Sequence, residues 1–163
     1  MLIADIEAWS DLFVAAAGAS AALAGLVFVA ISINIENIIG YKGLPELSIV
    51  TIMLLVGVLI VSLFGLIPEQ THHALGLELL VQSLLWSALL LRFAVRSLPE
   101  THRREKMVSR FGLPAFGTVP YVVGAVLLTT GSDSGLYWVF AGLVGAVGAA
   151  MINAWVLMVE IRR

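Results

Sequence analysis

Residues 9–33 read WSDLFVAAAGASAALAGLVFVAISI, a run in which Asp11 is the only charged side chain. A helix needs about 20 mostly apolar residues to cross the roughly 30 Å hydrocarbon core of a bilayer. This run is long enough to span, and the pattern recurs downstream. Apolar stretches follow at 48–67, 74–95, 113–130 and 136–159. The breaks hold turn or polar residues: Gly40 to Pro45, Pro68 to His73, Pro99 to Arg110, and Gly131 to Gly135. The expectation is an all-α integral membrane bundle of five transmembrane helices, one domain over 1–163, with its N-terminus outside and its C-terminus cytoplasmic.

Composition points the same way. Of the 163 residues, 60 % are hydrophobic and 12 % charged, with a mean hydropathy of +1.02. Soluble domains carry about 25 % charged residues, so hydrocarbon must solvate much of this exterior. The absence of cysteine excludes disulfides, thiolate metal sites and thiol catalysis. The first ten residues carry Asp5 and Glu7 but no Lys or Arg, unlike the basic start of a signal peptide, so the first span is expected to be retained.

Orientation follows from the basic residues, which favour the cytoplasmic side. There are nine: Lys42, Arg92, Arg96, Arg103, Arg104, Lys106, Arg110, Arg162 and Arg163. With five spans and the N-terminus outside, all nine fall in or beside cytoplasmic segments. One span more or fewer would scatter them to both sides. Trp9, Tyr137 and Trp138 then sit at outer boundaries and Tyr41 at an inner one, where amphipathic rings prefer to lie.

The first span carries a narrow seam at steps of four and three: Asp11, Ala15, Gly18, Ala22, Gly25, Val29, Ser32 and Glu36. The helix is expected to continue to about Ile39, with Gly40 as its C-cap. Helices in lipid associate through close backbone approach, so small residues mark interfaces. The seam therefore packs against a helix of the same chain, receives a partner helix, or lines an oligomer axis. In the last case Asp11 and Glu36 form acidic rings at the two mouths of a narrow pore, a device that favours cations.

The fifth span has a comparable seam, Gly142, Ala146, Ala149, Asn153, Val156 and Glu160, with Asn153 expected to hydrogen-bond across to a neighbour. The third span aligns Glu78, Gln82, Leu85, Leu89, Arg92 and Arg96, read either as end groups snorkelling to the interfaces or as a polar conduit. Pro120 is expected to kink the fourth span, with Thr118 and Tyr121 satisfying the backbone groups it frees.

Outside the spans, Arg103, Arg104, Lys106 and Arg110 form a basic cluster suited to anionic lipid head groups at the cytoplasmic face. No aromatic stacking surface accompanies it, so nucleic acid is not an expected partner. His72 and His73 with Asp133 supply imidazole and carboxylate, but adjacent histidines diverge by about 100° on a helix, so no metal site is expected. Walker, dinucleotide, His-Glu-x-x-His and Gly-x-Ser-x-Gly patterns are absent. The expectation is a non-catalytic protein without a cofactor. It acts as a homo-oligomeric scaffold or regulator of other membrane proteins, the alternative being a small oligomeric ion channel with the first helix around its axis.

Trp9, Asp11-Leu12-Phe13, the run Gly18 to Val29, Ser32-Ile33-Asn34, Leu44-Pro45 and Pro68 together resemble a group of small bacterial multi-span membrane proteins. Some of these carry the label modulator of FtsH protease. The resemblance covers about residues 9–70. It implies a bacterial inner-membrane setting and brings no functional residues with it.

Overall fold

A 3-10 turn, Ile6–Trp9, leads into α1, Ser10–Ile33, and the short α2, Ile35–Gly40. Then come α3, Leu44–Gly65, α4, His72–Arg96, α5, Leu113–Thr129, and α6, Ser134–Glu160. The computed structural model describes residues 6–41, 43–96 and 112–160, and it is helical throughout with no strand among them. Among the described residues, four helices are long and apolar enough to cross a membrane: Ile6–Ile33, Leu44–Gly65, His72–Phe93 and Ser134–Val159. A fifth apolar helix, within α5, is shorter. At 1.5 Å per residue, the 17 residues of α5 reach about 26 Å.

The helix ends obey local rules. Gly43, at φ 96°, supplies the left-handed turn before α3, and Pro45 sits in that helix's first turn, where its missing N–H costs nothing. This pair starts α3 at Leu44, four residues before the apolar run begins. Thr71 caps α4, its hydroxyl accepting from the Ala74 N–H at 3.2 Å. Gly131, at φ 78°, closes α5 in a Schellman motif: Ser132 N–H donates to Leu127 O at 2.9 Å, and Gly131 N–H to Leu128 O at 3.0 Å.

The first helix is shorter than its sequence suggests. It stops at Ile33, and Asn34 breaks the path before α2 begins. The Asn34 side-chain amide donates to Ala30 O at 2.9 Å, the local competition with helix geometry typical of asparagine. Gly40 lies inside α2, and Tyr41 is the C-cap.

Successive long helices run antiparallel. Phe13 near the start of α1 meets Gly65 at the end of α3. His73 at the start of α4 meets Thr129 at the end of α5, and the Trp9 and Tyr137 rings cross edge to face at 5.1 Å. This gathers the N-termini of α1, α4 and α6 at one end. At the other end Ile38 of α2, Leu44 of α3 and Leu157 of α6 form a second apolar cluster. The most extensive contact joins α5 to α6, followed by α4 with α5 and α1 with α3. The main core runs through Leu54, Leu55, Val58, Leu79, Leu128 and Val139. Large apolar side chains such as Leu26, Phe28, Ile33, Leu77 and Trp155 stand exposed on the outside. Water would solvate them poorly, whereas hydrocarbon suits them.

Candidate functional site

α1 has two small faces, and the fold treats them differently. Phe13, Ala16, Ser20, Leu23, Ala24 and Val27 are buried or half-buried on the side toward the core. Ser20 is fully covered, its hydroxyl donating to Ala17 O at 3.0 Å. The seam Asp11, Ala15, Gly18, Ala22, Gly25, Val29, Ser32 and Glu36 lies on the opposite side, and every member is exposed. At 100° per residue Gly18 and Ala22 each point about 160° away from Ser20.

Glycine contacts sharpen the distinction. A Cβ placed on Gly65 would fall 2.5 Å from the Phe13 ring, and one on Gly142 would fall 2.7 Å from the Tyr121 ring. Gly124 and Gly135 face each other: a Cβ on either would come within 2.9 or 2.8 Å of the other's carbonyl oxygen. These glycines permit close approach inside the chain. At Gly18 and Gly25 an added Cβ meets nothing within 4 Å. Among the described residues nothing packs on the small surface of α1, whereas Gly142, Ala146, Ala149 and Asn153 of α6 are buried.

A polar group of side chains lies midway along the bundle. Gln82 of α4 donates through Nε2 to Gly57 O of α3 at 3.1 Å. One turn on, Trp86 donates through Nε1 to Met53 O at 2.9 Å. Its indole lies so close to Gly57 that a Cβ there would sit 2.9 Å from Nε1. Two α4 side chains are thereby fixed to α3 backbone carbonyls, which in lipid have no water to turn to. Tyr121 is buried against Gly142, and its hydroxyl has no partner among the described residues, so it does not serve a group freed by Pro120. α5 runs through Pro120 without interruption. Asn153 is buried, with Nδ2 unpartnered among the described residues.

The third-span face divides. Glu78, near the α4 N-terminus, accepts from Gln70 Nε2 at 2.6 Å, and Gln82 is buried. Leu85 and Leu89 are 59 % and 42 % exposed, and Arg92 is exposed beyond them, so apolar surface interrupts any polar path. At the same end as Glu78, His72 Nδ1 lies 3.7 Å from Asp133 Oδ1, while His73 turns away to Thr129 O at 2.9 Å. No group of three or more His, Asp or Glu able to hold a metal occurs among the described residues. The basic cluster Arg103, Arg104, Lys106 and Arg110 lies outside the described residues, as do Lys42, Arg162 and Arg163.

Several contacts had no counterpart in the sequence reading: Phe13 with Gly65, Trp86 with Gly57, and Gly124 with Gly135. A signal for the last existed, because Gly117 and Gly124 of α5, and Gly135 and Gly142 of α6, recur at steps of seven. No family model, curated protein or solved structure matches the chain.

Proposed function

We propose that this chain is a non-catalytic protein of a bacterial cytoplasmic membrane that crosses it five times and homo-oligomerises through the outer face of α1, serving as a scaffold or regulator for other membrane proteins. The observation carrying this reading is the exposed seam from Asp11 to Glu36, mostly small residues and uncovered among the described residues. Gly18 and Ala22 give the small-xxx-small spacing through which membrane helices approach closely.

The antiparallel order of the long helices supports five crossings, with α5 as a short span at the lower end of the usual range. The distribution of Lys and Arg supports an outer N-terminus. The chain has no cysteine, so single cysteines report topology cleanly. With an impermeant maleimide on intact cells, Ser132→Cys is expected to label and Ser109→Cys to label only after permeabilisation. The reverse pattern would overturn the orientation, and labelling of both from outside would overturn the span count.

Imaging of single particles in nanodiscs tests the assembly. The wild type is expected as a multimer with α1 at the subunit contacts. The Gly18→Leu, Gly25→Leu double variant is expected as a monomer with unchanged helicity, because an added Cβ at either site meets none of the described residues within 4 Å. A monomeric wild type, or a variant that still assembles, would sink the proposal. The exposure of Asp11 and Glu36 at the ends of the seam favours a second reading, a ring of α1 helices around a cation path. That reading requires ion flux in liposomes that Asp11→Asn or Glu36→Gln alters. A multimer without such flux leaves the scaffold.

A further inference from the structure

Between α3, α4, α5 and α6, about halfway along each, lies a cavity of about 20 Å³. Its polar lining comes from Gln82, Ser83, Trp86, Thr118 and Tyr121, and the rest is apolar or glycine. Two of these lining residues carry a buried atom with no hydrogen-bond partner among the described residues, Gln82 Oε1 and the Tyr121 hydroxyl. Their side chains are more than nine-tenths covered, at 8 % and 6 % exposed, and they belong to different helices. The neighbouring groups are already committed: Gln82 Nε2 to Gly57 O, Trp86 Nε1 to Met53 O, and the Ser83 hydroxyl to Leu80 O. Buried polar atoms are rarely left unpaired, because desolvation without a partner is costly.

We propose that this cavity binds a single water molecule held jointly by Gln82 and Tyr121, a hydrated joint between α4 and α5 inside the bundle. Size limits the ligand. A water site needs roughly 10–15 Å³, so a cavity of about 20 Å³ is sized for one water. Chemistry selects the same species. The amide oxygen only accepts, whereas the phenol both donates and accepts. Water can donate to the first and exchange a hydrogen bond with the second. No charged side chain lines the cavity, and a bare ion in apolar surroundings is far costlier than a neutral water. Glycines make room for the joint: Gly57 admits Trp86, and Gly142 admits the Tyr121 ring.

Water-edited solid-state NMR of the protein in liposomes, with labelled glutamine and tyrosine, tests this directly. Polarisation is expected to pass from a water proton to the Gln82 side-chain amide and the Tyr121 ring. The Gln82 signal is expected to disappear in Tyr121→Phe, and the Tyr121 ring signal in Gln82→Met. In parallel, Tyr121→Phe is expected to raise the unfolding equilibrium constant about threefold in the wild type and clearly less in the Gln82→Met background. Absence of water transfer in the folded wild type overturns the proposal, even if the two side chains prove coupled, since that combination means a direct bond. Transfer to the remaining partner that survives undiminished in either single variant overturns it as well. Should Gln82→Met fail to fold, the wild-type spectrum and loss of the Gln82 signal in Tyr121→Phe remain decisive.

Discussion

Replacing Gly124 by leucine is expected to destabilise the bundle by about 3 kcal/mol or more, while the same change at Gly18 has little effect on the subunit fold. Around Gly124 the obstacles are the Gly135 carbonyl oxygen at 2.9 Å and the Val139 amide nitrogen at 3.1 Å. These are backbone atoms, and relieving the clash requires α5 and α6 to separate. Their contact is the most extensive in the molecule, so side-chain repacking cannot absorb the strain. Overpacking typically costs about 1–3 kcal/mol where side chains can yield, and more where they cannot. Against a total stability of about 5–15 kcal/mol, such a loss removes much of the folded population. Unfolding by SDS titration in mixed micelles, followed by circular dichroism, measures both variants. Equal midpoints for Gly124→Leu and Gly18→Leu would show that the α5–α6 approach is looser than described.

Phe13→Ala is expected to cost about 1–3 kcal/mol and to loosen α1 from α3 before the rest of the bundle. Phe13 is 1 % exposed and fills the space left by Gly65. In a water-soluble core its truncation would cost about 3–5 kcal/mol. In lipid a separated α1 would still hold its phenyl ring in hydrocarbon, so the transfer term largely drops out and the lost packing remains. Gly65→Leu removes the same fit from the other side, and the two changes together are expected to cost clearly less than their sum. A cysteine cross-link engineered between α1 and α3 would report the loosening. Melting of Phe13→Ala at the wild-type midpoint, with cross-linking unchanged, would mean that other contacts anchor α1. The consequence extends to function, because the proposed assembly surface is the opposite face of this helix. A loosened α1 presents that surface at no fixed angle.

The helices were legible because their causes are local. Length and apolar content mark the stretches at 9–33 and 136–159, and Gly43 with Pro45, Thr71, and Gly131 mark ends that their own backbone chemistry dictates. Asn34 was a weaker signal, since asparagine inside an apolar run either tolerates the helix or interrupts it according to what its side chain reaches. The polar groups were only partly legible. Gln82 was visible as an amide in an apolar helix, but its partner is a backbone carbonyl of α3, and backbone carbonyls carry no residue-specific mark.

By itself, the sequence determined the all-helical class and the positions of the long apolar helices. Each depends on neighbouring residues. The direction in which α1 faces was decided only by the tertiary structure. Ala16, Ser20 and Ala24 offer one small surface and Ala15, Gly18 and Ala22 another, and hydropathy ranks them almost alike. The choice turns on Phe13 meeting Gly65 across two helices, a fit of shape between distant residues. Where every surface is apolar, shape complementarity rather than hydrophobicity decides which faces meet.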